Sequence, residues 1–128
     1  MINERDCLAL LEYLKNQDSK RWVSKKEICD AMPEIFVYNE NKNSHDECVY
    51  LWSCKNFINN NVEMFDYIII SNKKGEIKIP SDEEARKFLE NEFRNCCIKF
   101  KRYWNKAKSL KLINQGKLNE TFYNIIKN

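Results

Sequence analysis

Residues 66–89 read DYIIISNKKGEIKIPSDEEARKFL and contain Gly75, one of only two glycines in the chain. Gly75 separates the isoleucine run Ile68–Ile70 from a second run in which Lys78 stands between Ile77 and Ile79. This pattern predicts a hairpin. A strand covers Tyr67–Ser71, a turn over Asn72–Gly75 needs a positive φ, and a returning strand covers Glu76–Ile79. Directly afterwards, Ser81 is followed three residues later by Glu84. That spacing marks a helix start, because the serine oxygen takes the N3 amide proton while the glutamate reaches back to the serine amide.

The same serine-to-glutamate spacing recurs upstream at Ser24–Glu27 and Ser44–Glu47, so three helix starts are marked. Before them, Arg5 to Asn16 carries Leu8, Leu11, Tyr13 and Leu14 at helical spacing and predicts a first amphipathic helix. The second helix is expected from Lys25 to about Met32, where Pro33 disfavours helical geometry at the residue before it. Lys20 to Val23 leaves room for a short strand, and the segment from Pro33 to Asn43, with its run YNENKN, reads as a polar loop. The third helix is expected from His45 to about Asn59. Its pattern turns Cys48, Leu51, Trp52 and Ile58 inward and Asp46, Tyr50, Ser53 and Phe57 outward. The run INNN then ends it, since asparagine tolerates the left-handed conformation of a helix end.

The fold class is therefore mainly α with a small β-hairpin. The order helix, short strand, helix, loop, helix, hairpin, long helix resembles a winged helix-turn-helix over residues 5–80, with Asn72 to Gly75 as the tip of the wing. The pieces RWVSKKEICDAM and YIIISNKKGEIKIPSDEEA carry the resemblance, and they look like the small DNA-binding proteins of bacteriophages and prophages. It implies a winged domain over residues 1–80. It also implies a reading helix set in the major groove by phosphate contacts from the second helix and the wing. The matching positions are Asn43, Ser44, His45, Tyr50 and Ser53 on the third helix, Lys25 and Lys26 on the second, and Lys73 and Lys74 at the wing. Asp46 and Glu47, read at the first turn of the third helix, suit its dipole but repel phosphates. On a plainer reading they are only capping residues, and the wing lysines only keep a hairpin tip soluble.

Residues 81–128 differ in character. Leu89, Phe93, Cys96, Phe100, Tyr103, Ala107 and Leu110 recur at alternating spacings of four and three, the heptad rhythm of a helix-packing seam. This predicts a long helix that pairs with a second copy. Charge is concentrated here: residues 99–128 hold eight basic residues against one acid in a chain of net charge +3. Lys99, Lys101, Arg102, Lys106, Lys108 and Lys111 lie close together with Tyr103 and Trp104 among them. Arg102, Lys106 and Lys108 are candidate contacts to a nucleic-acid backbone. Tyr103 fits the seam better than a base-stacking role. Phe122, Tyr123, Ile125 and Ile126 suggest a short terminal helix.

Composition sets the remaining bounds. Apolar residues make up 43% of the chain, too many for a disordered protein, and no apolar run approaches the length of a membrane span. The opening MINERDCLALLEYL carries acids where a secretory signal has basic residues, so a cytoplasmic location is expected. The six cysteines, Cys7, Cys29, Cys48, Cys54, Cys96 and Cys97, are then expected as reduced core thiols. Without a C-x-x-C pair and with His45 as the one histidine, neither a metal nor a cofactor is expected. No Gly-rich phosphate loop or nucleophile motif is present, so the chain is not expected to be an enzyme. The expectation is a homodimeric double-stranded DNA-binding protein of a phage or mobile element, a transcriptional regulator or replication-associated factor. The alternative is a phage-encoded module that binds a host protein, such as an anti-CRISPR inhibitor of a defence nuclease. The acids at the third helix favour that alternative.

Overall fold

Asn3 begins the first helix, α1 (Glu4–Lys15), by accepting the Arg5 amide proton on its side-chain oxygen at 2.8 Å. The computed structural model describes residues 1–17, 21–40, 47–110 and 124–125. α1 turns Cys7, Leu10, Leu11 and Leu14 into the core and leaves Leu8 half exposed, so the buried stripe is centred one residue away from the expected one. Ser24 caps α2 (Lys25–Ala31) through a 3.1 Å bond from the Glu27 amide. The Glu27 carboxylate does not reach back to Ser24. It accepts instead from Arg21 and from the Tyr13 hydroxyl, which ties α1 to α2.

The third helix, α3 (Val49–Asn60), starts four residues later than the sequence pattern indicates. Its N-cap is Cys48, with no side-chain capping bond, and the Glu47 carbonyl accepts from the Asn39 amide at 2.7 Å. The expected cap Ser44 lies outside the described residues. Glu47 therefore precedes the helix, and its first turn holds no acid. Leu51, Cys54 and Ile58 are buried as a stripe; full burial of a leucine or isoleucine is worth roughly 1.5–3 kcal/mol. The run INNN ends α3 as expected, with Asn61 as its C-cap, but at φ −133° and not in the left-handed conformation. A one-turn helix, α4 (Val62–Phe65), follows and closes at Asp66 in the left-handed conformation (φ 62°).

The hairpin is shorter than expected, with β1 (Ile70–Ser71) antiparallel to β2 (Ile77–Lys78) and Ser71 opposite Ile77. Gly75 adopts φ 80°, as the turn requires. Asn72 organises the tip, its side-chain oxygen accepting from the Lys74 and Glu76 amides at 3.0 Å each. The short strand expected before α2 is reduced to one residue: Val23 exchanges two 2.9 Å backbone bonds with Ile77. Asn59 of α3 holds the chain entering β1, bonding the Ile69 amide and carbonyl at 2.8 Å each.

The last helix, α5 (Asp82–Ser109), has 28 residues and extends about 42 Å. Its start is a complete capping box: Glu84 N donates to Ser81 Oγ at 3.2 Å, and Ser81 N donates to Glu84 Oε1 at 3.1 Å. Lys78 Nζ adds an ion pair to Glu84 at 2.6 Å, which holds the carboxyl down at about 2. Two compact units share the chain, Met1–Arg86 and Lys87–Asn128. The described part of α5 in the second unit is largely exposed, Ala107 being buried and Trp104 half-buried. The terminal helix expected around Phe122 and Tyr123 falls outside the described residues except for 124 and 125, which are helical. No helix among the described residues is long and apolar enough to cross a membrane.

Candidate nucleic-acid interface

Three elements meet around Trp52. Lys25, the first residue of α2, lies with its ammonium 5.7 Å from the Trp52 ring centroid and close under the hairpin turn. A Cβ added to Gly75 would stand 3.4 Å from Lys25 Nζ. Lys55 of α3 lies 4.1 Å from the same ring, and its ammonium donates to Ser71 Oγ of β1 at 3.2 Å. Both lysines are buried. Burial and then the charge of Lys25 lower the pKa of Lys55. The start of α2, the middle of α3 and the hairpin are thereby fixed to one another by side chains as well as by the Val23–Ile77 bridge.

Next to this junction α3 presents an uncharged face. Val49, Asn56 and Asn60 are exposed and Ser53 is half-buried, at successive spacings of four, three and four. Of the expected reading positions, Ser53 belongs to this face, whereas Asn43, Ser44 and His45 lie outside the described residues. Tyr50 turns the other way. Its hydroxyl donates to Asp6 at 2.5 Å and accepts from the Asn3 amide at 3.2 Å, and its ring packs on Phe36 at 5.8 Å. The bond to Asp6 raises the Tyr50 pKa to about 12. Phe57, expected outward, packs edge-on against Phe65 and joins the core.

Lys73 and Lys74 are exposed at the hairpin tip, and Lys26 is exposed on α2 with an ion pair to Glu40 at 3.8 Å. In the second unit Arg102, Lys106 and Lys108 are exposed, Lys106 lying 5.7 Å from the Tyr103 ring. Phe100 stacks on Trp104 at 6.1 Å. Along the heptad stripe Leu89, Phe93, Cys96, Phe100, Tyr103 and Leu110 are exposed, leaving Ala107 as its buried member.

Asn56, Asn60 and Lys55 were not anticipated from the sequence. The spacing of 49, 53, 56 and 60 carries the exposed face once the start of α3 is known, but nothing local marks Lys55 as buried. Cys7, Cys29, Cys48 and Cys54 are buried in the core, and the Cys7 thiol donates to the Cys54 carbonyl at 3.9 Å. Burial pushes Cys29 and Cys54 up to about 12. Cys96 and Cys97 are exposed instead of core. In comparisons with known proteins, the chain matches no family model, no curated protein and no solved structure.

Proposed function

We propose that this chain is a double-stranded DNA-binding protein whose first unit works as a winged helix-turn-helix. In this reading α3 enters the major groove with Val49, Ser53, Asn56 and Asn60 toward the bases. Lys73 and Lys74 at the hairpin tip and Lys26 on α2 take flanking phosphates. Asparagine pairs with the N6/N7 edge of adenine and valine meets the thymine methyl, so this face suits A·T-rich sites. In the second unit, the α5 stripe packs against the same stripe of a second copy, and Arg102, Lys106 and Lys108 add backbone contacts. A regulatory or replication-associated role is the one the resemblance implies.

The observation that carries the reading is the two-way Val23–Ile77 bridge, which joins the hairpin to the chain between α1 and α2. A winged helix-turn-helix needs that connection to bring its wing beside its reading helix. The late start of α3 also removes the main objection, because acids at its first turn would have faced phosphates and none is there. A fluorescence titration of labelled duplex at several salt concentrations tests the reading. Binding that weakens linearly in log affinity against log salt supports it. Absence of binding at low salt contradicts it.

A further inference from the structure

In the second unit α5 leaves an apolar stripe in solvent: Leu89, Phe93, Cys96, Phe100 and Tyr103 are exposed, Phe93 at 71%. The residues beside this stripe are charged, and they change sign along the helix. Glu92 stands just before Phe93 and Lys99 just before Phe100, so both lie on the same edge of the stripe. Neither has an opposite charge three or four residues away on α5, whereas Glu83 has Arg86 at 2.7 Å. The whole helix is divided in the same way. Residues 82–95 hold five acids and three basic residues, and residues 96–109 hold five basic residues and no acid.

Charges on the edges of an apolar seam set the orientation of paired helices. In a parallel pair the edge that carries Glu92 and Lys99 meets the other edge of the second copy, where Cys97 and Trp104 stand, and neither charge is matched. The two basic halves then lie side by side. In an antiparallel pair like edges meet. We propose that α5 pairs with α5 of a second copy in the antiparallel sense, with Glu92 of each copy against Lys99 of the other. This rests on the pairing of α5 in the proposed function and adds its direction and register. In that register Leu89 packs on Phe100 of the second copy and Phe93 packs on Cys96, each twice, which makes four apolar layers. The basic halves lie on opposite sides of the midpoint.

Two measurements on the full chain test this seam. Sedimentation equilibrium gives the dissociation constant of the dimer for the unchanged protein, Glu92→Lys, Lys99→Glu and the double variant. Antiparallel pairing makes both cross-pairs repulsive in either single variant, so each should weaken the dimer about tenfold, and the double variant should return to within about threefold of the unchanged protein. Parallel pairing predicts a tighter dimer for Lys99→Glu, because the change removes like charge from adjoining basic halves. Spin labels at Lys108→Cys, with Cys96→Ala and Cys97→Ser, give the second measurement. The midpoint of the register falls between Arg94 and Asn95, so the labels should lie about 40 Å apart along the axis, against under about 20 Å in a parallel pair.

A dimer that weakens in both single variants, recovers in the double variant and holds its labels about 40 Å apart supports the antiparallel seam. A dimer that Lys99→Glu leaves unchanged or tightens, a double variant as weak as the single ones, or labels within about 20 Å overturns the seam and leaves pairing through α5 standing. An unchanged protein that is monomeric at high concentration overturns that pairing and the seam with it, while the DNA-binding reading still stands on the duplex titration. If the charge variants lose their helical circular dichroism, the label distance decides between the two senses.

Discussion

Replacing Glu84 with glutamine isolates the charge of the hinge between the hairpin and α5. Glutamine still accepts the Ser81 amide proton in the capping box, so the substitution removes the Lys78 ion pair while keeping the cap. The folded carboxyl titrates near 2 against an ordinary 4.5, chiefly through the bond from Lys78 and then through the Ser81 amide. On a dry group a drop of that size corresponds to about 3 kcal/mol. Glu84 is 37% exposed while Lys78 is 11% exposed, and solvent screening reduces the contribution to about 1 kcal/mol. Because the folded pKa is depressed, this stability is fully present above pH 4.5 and drains as the pH falls toward 2. Thermal unfolding followed by circular dichroism should place Glu84→Gln about 5 °C below the unchanged protein at pH 7. That gap should shrink as the pH falls below 4.5 and close only below about pH 2. A gap that persists undiminished to that pH refutes the electrostatic argument, as does no gap at pH 7.

Other outcomes follow from separate parts of the molecule. Asn59→Ala leaves the amide and carbonyl of the buried Ile69 without their side-chain partners and should destabilise the fold by about 2–4 kcal/mol in urea titration; a loss under 0.5 kcal/mol contradicts that role. Native alkylation followed by mass spectrometry should modify Cys96 and Cys97 and spare Cys7, Cys29, Cys48 and Cys54, whose burial keeps the reagent away from them. Rapid modification of any of these four argues against their packing. Sedimentation should find a dimer that Phe93→Asp with Phe100→Asp converts to a folded monomer, because a charge placed in an apolar interface is strongly disfavoured. An unchanged protein that is monomeric at high concentration refutes pairing through α5.

What the sequence revealed were features whose causes lie within a few residues. Ser24 and Ser81 mark their helices because the capping partner is three residues away, and Gly75 marks its turn because only the local backbone demands a positive φ. The start of α3 was not legible in this way. Ser44 and Glu47 have the capping spacing, yet the Glu47 carbonyl accepts from the Asn39 amide, and the helix begins beyond it. Leu8 shows the same limit on α1, where adjacent residues support overlapping apolar stripes and tertiary packing chooses Cys7 and Leu10. Lys55 was hidden most completely. A lysine at mid-helix reads as solvated, and its burial depends on Ser71 and Trp52 coming together only in the fold.

The central claim, that α3 and the hairpin together engage duplex DNA, is tested most directly by the salt dependence of binding before and after the wing is changed. Lys73→Ala with Lys74→Ala removes two exposed charges from a tip whose turn is held by Asn72 and Gly75, so the fold should be unaffected. The account predicts weaker binding to all duplex sequences and a logarithmic salt slope smaller by nearly two per protomer, about 0.9 for each lost phosphate contact. An unchanged slope in a protein that binds duplex contradicts the wing's role, and no duplex binding at low salt contradicts the account itself.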